Sequence, residues 1–204
     1  FHSYHIISRQ SEEITVTLLD KMQSEIDARF NSARHNLVNL LLDRNVQRAT
    51  EITGSFSIGD RELLYEIYKD LSKRFITNGS FRHIFIYFKE GKTTLSEQGH
   101  MESSLFYEMY YEQEGWSLEE FREILENSWS GEDIAMGNKT GEQEIWILQG
   151  SMGRGSDSSA TFGVSISEGT LKQWMQEILW NESQELVMIH PDGIYIGSGG
   201  LADE

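Results

Sequence analysis

The chain has 204 residues, 38% hydrophobic and 11% aromatic, enough for one large domain or two small ones with a real core. It carries no cysteine, which excludes disulfides, thiolate metal sites and a cysteine nucleophile. The net charge of −16 is uneven, with 12 acids and 13 bases in residues 1–96 but 13 and 2 in 97–144 and 8 and 2 in 145–204, and such a surface repels phosphate backbones, so this chain is not expected to contact nucleic acid.

The first residue is Phe1 rather than Met, so the chain reads as part of something longer, and no apolar run is long enough to cross a bilayer as a helix. Leu19, Met22, Ile26, Phe30, Ala33, Leu37 and Leu40 recur at three- and four-residue steps and predict one helix from about Ser11 to Ala49. Ser11 followed by Glu12 and Glu13 suits its start, with a capping hydroxyl and two carboxylates at the positive end. Such a helix is roughly 60 Å long and must lie along two modules or project from one. The aromatic-rich lead-in Phe1–Ile7 fits the exit from a spanning helix or a frayed amphipathic turn.

Leu63, Leu64, Ile67, Leu71 and Phe75 predict a second helix with Asp60 as its cap, and Asn78-Gly79 ends it. Phe81–Phe88 is β-rich and apolar on both faces, the pattern of a central strand; Glu90-Gly91-Lys92 turns it into a partner at Thr93–Glu97. Residues 103–127 read as acidic helix in two pieces broken near Gly115, with Ser117-x-x-Glu120 as a capping box. Strands follow at Asp133–Met136, Glu144–Met152 and Ala160–Ser167, joined by Lys139-Thr140-Gly141 and a Gly/Ser loop, Gly153–Ser159. The last alternates: Ala160, Phe162, Val164 and Ile166 on one face, Thr161, Gly163, Ser165 and Ser167 on the other. Leu171, Trp174, Met175, Ile178 and Leu179 mark another helix, and Leu186–His190, Pro191-Asp192-Gly193 and Ile194–Ile196 a closing hairpin. Five antiparallel strands with helices inserted between the second and third make an α+β fold.

Motifs for catalysis are missing. There is no H-E-x-x-H, no G-x-S-x-G, and Gly150–Gly155 matches neither a P-loop nor a dinucleotide fingerprint. His2 and His5 lack a carboxylate between them, His100 and His190 read as turn chemistry, and His83 as a hydrogen-bonded structural histidine. Neither an enzyme nor a cofactor nor a metal site is expected. The candidate site is aromatic: Tyr87, Tyr110, Trp116, Trp129 and Trp146 crowd the sheet and its helical insertion, and with Gln149 and Arg154 they suit the wall of a ligand pocket. The plain reading of Tyr107, Tyr110 and Trp146 is that they are core.

The long first helix, the sheet with its helical insertion and the P-D-G hairpin resemble the Cache sensor domains, extracytoplasmic modules with a PAS-like sheet. The stretches that carry this are Leu37–Val46, Phe81–Phe88, Phe162–Ser167 and Leu186–Ser198, and in detail they look like the ectodomains of membrane-anchored AraC-type transcription regulators of Gram-positive bacteria. Sensor histidine kinases and chemoreceptors carry similar domains, and a secreted peptide- or glycan-binding protein is the alternative of a different class. The resemblance implies residues 1–80 as stalk and second helix, 81–167 as a membrane-distal PAS-like module, and 168–204 as a crossing helix with the first hairpin of an incomplete membrane-proximal module. It further implies a small-molecule or peptide ligand, a homodimer through the stalk stripe, tethering at the outer face of the bacterial membrane, and a signal passed through the stalk to a cytoplasmic output domain. The aromatic–arginine–tryptophan signature of amino-acid-binding members is broken here: Glu114 stands two positions before Trp116, where the arginine belongs, so amino-acid binding is not carried over.

Overall fold

A computed structural model describes residues 2–52, 54–112, 116–127, 133–136, 144–151, 159–179, 187–189 and 195–197. The first helix, α1, is His2–Leu41 and α2 is Arg44–Thr50; a 3₁₀ turn at Ile58–Asp60 leads into α3, Arg61–Asn78. Strands β1, His83–Phe88, β2, Thr93–Ser96, and β3, Gly99–Glu102, come next, then α4, Ser103–Tyr110, and α5, Leu118–Asn127. The chain returns to strand as β4, Asp133–Met136, β5, Glu144–Gly150, and β6, Ala160–Ser167, before α6, Glu168–Ile178, and the pair β7, Val187–Ile189, and β8, Tyr195–Gly197. The expected α+β class and all five expected strands are present. A short edge strand, β3, adds a sixth, giving the antiparallel order β3-β2-β1-β6-β5-β4.

The expected stalk differs at both ends. Helix is already established at His2, so Ser11 is interior rather than a cap, and the predicted continuation to Ala49 is interrupted at Asp43. Asp43 adopts extended backbone (φ −65°, ψ 133°), and its carboxylate accepts from the N–H groups of Asn45 and Val46 at 2.8 and 3.1 Å. That side chain satisfies the donors a new helix start leaves open, so α2 begins here although the apolar rhythm runs on through Val46 and Ala49. Asp60 likewise makes no cap bond to α3; it closes the preceding turn by accepting from Ser57 N–H and Oγ–H at 2.8 and 2.7 Å. Gly79 ends α3 as expected, at φ 58° with its N–H on the Phe75 carbonyl at 3.1 Å. Ser117 and Glu120 form the predicted capping box, with Ser117 N–H on Glu120 at 2.9 Å and Glu120 N–H on Ser117 Oγ at 3.1 Å.

Strand alternation sorts side chains onto two covered faces. Ile84, Ile86, Phe88, Leu95, Ile145, Ile147, Phe162, Val164 and Ile166 point to one, where Leu37 and Leu40 of α1, Val46 and Ala49 of α2, Leu64, Ile67 and Leu71 of α3, and Leu171, Trp174 and Met175 of α6 complete a single core. The helices assigned from sequence to the flanking segments 1–80 and 168–204 thus share one core with the sheet. Phe30 and Leu37, which the stripe offered to a dimer seam, are engaged within the chain: Phe30 meets Trp174 edge-on at 5.9 Å and Leu37 is buried. Toward the amino end of α1, before the buried Met22, Val16 and Leu19 are 57% and 49% exposed. The final hairpin pairs as predicted, Met188 opposite Ile196; its Pro191-Asp192-Gly193 turn, like the 139–141 turn and the 153–158 loop, lies outside the described residues.

Candidate functional site

The opposite face of the sheet is aromatic. Phe85 and Tyr87 of β1 and Trp146 and Leu148 of β5 point into it, and Phe106 and Tyr107 of α4, Tyr111 just after it, and Phe121 and Leu125 of α5 cover them. Trp146, 2% exposed, meets Phe85, Tyr111 and Phe121 edge-on at 5.7, 5.0 and 5.8 Å, and Trp116 stacks over it at 6.3 Å with the planes 11° apart. Between the strands of Phe85 and Trp146, Gly163 makes this packing possible. A Cβ there would lie 2.3 Å from Phe85 Cζ, so any larger residue would displace the ring.

Buried polar residues on the strands are concentrated on this face. His83, Thr94, Ser96, Glu144, Thr161 and Ser165 share its parity, while the other face is aliphatic. Most are matched, as burial demands. Thr94 Oγ1 lies 3.0 Å from Ser103 Oγ, and Thr161 Oγ1–H donates to the Leu125 carbonyl at 2.6 Å, pinning both covering helices to the sheet. Tyr87 O–H donates to Glu126 at 3.2 Å, and Tyr107 O–H to the Trp116 carbonyl, which holds the connection between α4 and α5. His83 Nδ1 lies 2.8 Å from Glu97 Oε1, whose other oxygen accepts from Ile84 N–H at 3.1 Å. The imidazole is a structural, hydrogen-bonded histidine, as the sequence suggested; Tyr110 lies against it at 4.5 Å between ring centres. Ser165 is different: opposite both His83 and Trp146 in register and 0% exposed, its Oγ has no hydrogen-bond partner.

Carboxylates bear on these rings. Burial, then the charge of Glu126 and its hydrogen bond, push the Tyr87 hydroxyl well above the ordinary phenol range. Tyr107 is raised by burial and by Glu112, Glu120 and Glu108, and Tyr110 by burial and Glu97.

Of the residues expected to form a pocket, Tyr87, Tyr110, Trp116 and Trp146 come together on this face. Gln149 does not. It is three residues from Trp146 on the same strand and therefore has the opposite parity, opposite Phe162 in register, with Nε2 3.3 Å from the Gly150 carbonyl. Trp129 and Arg154 lie outside the described residues. Glu97 and Ser165 were not singled out by motif, although the alternation of β6 already placed Ser165 on the non-aliphatic face. Among the described residues no three His, Asp or Glu side chains are grouped to hold a metal ion, and no helix is long and apolar enough to cross a membrane. Compared with known proteins, the chain matches no protein-family model and no curated relative.

Proposed function

We propose that this chain is the ligand-sensing domain of a membrane-anchored signalling protein, a Cache-type module of the kind found outside the membrane in AraC-type transcription regulators. The aromatic face takes the ligand and α1 carries the response. A central antiparallel sheet with a helical insertion on one face and a long helix on the other supports the PAS-like reading.

The observation that carries the proposal is the connection between the two faces. Strand β6 contributes Gly163 and Ser165 to the aromatic side and Phe162, Val164 and Ile166 to the other, and Ser167 at its end caps α6 by accepting from Thr170 N–H at 3.2 Å. In turn α6 grips α1: Arg29 pairs with Glu177 at 2.7 Å and its guanidinium lies 5.2 Å from the centre of the Trp174 ring. A displacement of β6 by ligand therefore reaches α1. Val16 and Leu19, exposed on that helix, are the surface for a second copy. A ligand shifts the stalk only by binding its two arrangements with different affinity.

The test is a thermal-shift screen against sugars, organic acids, amines, short peptides and calcium, followed by hydrogen exchange with the best compound. Slowed exchange in α4 and α5 accompanied by a change in α1 around Arg29 is expected, and Trp174→Ala should keep the first and lose the second. Protection confined to α4 and α5 in the unaltered chain would overturn the sensing role and leave a binding protein.

A further inference from the structure

We infer that the ligand of the aromatic face is an organic cation, an amine whose ammonium group keeps at least one N–H; this rests on the sensing role proposed above. The argument is one of charge, ring faces and one unmet hydroxyl.

Glu97, Glu144 and His83 are the ionisable residues buried at this face, two carboxyl groups to one imidazole. Arg82, the neighbouring cation, is held by Glu144 at 2.8 Å. Residues 103–127, which supply both covering helices, contain seven glutamates and a single basic residue, Arg122. Arg122 is near enough to Tyr87 to oppose the rise of its hydroxyl, and its Nε is buried without a hydrogen-bond partner. Burial first, and then these carboxylates, raise the hydroxyls of Tyr87, Tyr107 and Tyr110. Against this one guanidinium the carboxylates are in excess, so the net potential draws a cation.

The rings provide the second element. Tyr110 and Tyr111 lie against His83, Trp146 stands opposite Ser165 in register and Trp116 stacks on Trp146, and the faces of such rings attract a desolvated cation through their quadrupole. The Ser165 hydroxyl provides the third. A buried hydroxyl without a partner is unfavourable, and it becomes favourable when a ligand N–H donates to it. A quaternary ammonium would satisfy the rings and leave Ser165 unmet, which is why an N–H-bearing amine fits better.

Three isosteres separate the possibilities at constant ionic strength: phenethylammonium, phenethyl alcohol and phenylacetate, with putrescine and methylammonium widening the amine arm. Saturable stabilisation by at least one amine is expected, with the alcohol and the acid binding at least tenfold more weakly. Ser165→Ala should leave the melting temperature of the unliganded chain unchanged or raised, while weakening the amine at least tenfold. Trp116→Ala, at a partly exposed ring, should weaken it as well. Equal or tighter binding of the alcohol or the acid, lost in Trp116→Ala, would overturn the cation and keep the aromatic face as the ligand site. So would amine binding that Ser165→Ala leaves untouched, as regards the hydroxyl's role. No stabilisation by any of these probes, nor by the wider screen, would overturn both.

Discussion

Both faces of the sheet are buried, yet they are made of different materials and closed by different parts of the chain. The more aliphatic face is sealed by helices from the beginning and end of the sequence, α1–α3 and α6, through mostly Leu, Ile, Val and Ala with Phe88, Phe162 and Trp174 among them. The aromatic face is sealed by one local insertion, α4–α5, and beneath its rings lie His83, Glu97, Thr161 and Ser165. Polar groups in a dry interior cost free energy unless each finds a partner in the right direction. The aliphatic face therefore tolerates exchange of one hydrocarbon for another, whereas the aromatic face depends on geometry. Long-range packing builds the scaffold, and the insertion laid over it makes the site.

The sharpest break in this contrast is Trp146→Ala against Ile147→Val, neighbours on β5 that face opposite ways. Trp146→Ala should cost about 3–5 kcal/mol and Ile147→Val about 0.5–1.5 kcal/mol in urea unfolding. Comparable losses from the two would mean that the aromatic layer is not closely packed.

Gly163→Ala comes next. Its new methyl group meets the Phe85 ring, and the overpacking should cost about 1–3 kcal/mol. Shortening the ring in the double variant with Phe85→Leu should recover part of that loss, a coupling that a double-mutant cycle measures. On the aliphatic side, Asp43→Ala removes the cap of α2 and should cost about 0.5–2 kcal/mol while leaving ligand binding unchanged.

The smallest effects are pH dependences of opposite sign. Partial burial lowers the imidazole of His100, which stays exposed and lies edge-on to Phe56 at 5.3 Å on the aliphatic side. The unfolded chain then binds that proton more readily, so this contribution is present above about pH 6.5 and fades as the pH falls. Tyr87 is raised, so the folded chain keeps its proton longer, and its contribution is present below about pH 10 and fades as the pH rises. His100→Gln should flatten the acid limb of a melting-temperature profile and Tyr87→Phe the alkaline limb. The reverse assignment would contradict the placement of the two groups.

Much of the scaffold was legible in local pattern. The period-two alternation of Ala160–Ser167 and the doubly apolar Phe81–Phe88 identified the two central strands, and Asn78-Gly79 and Ser117-x-x-Glu120 marked helix ends by chemistry that acts over a few residues. The cap at Asp43 was hidden because the apolar rhythm continues across it. Gln149 was misplaced although strand parity was sufficient to separate it from Trp146: an odd spacing puts two residues of a strand on opposite faces.

The sequence by itself determined most of the elements, their order and the alternation that divides apolar from small and polar positions, because backbone periodicity and capping depend on near neighbours. Only the tertiary structure decided that the first helix belongs to the same core as the sheet, that Glu97 reaches His83, and that Ser165 is buried without a partner. Those facts depend on which strands lie side by side and what is laid over them, and such contacts join residues tens of positions apart.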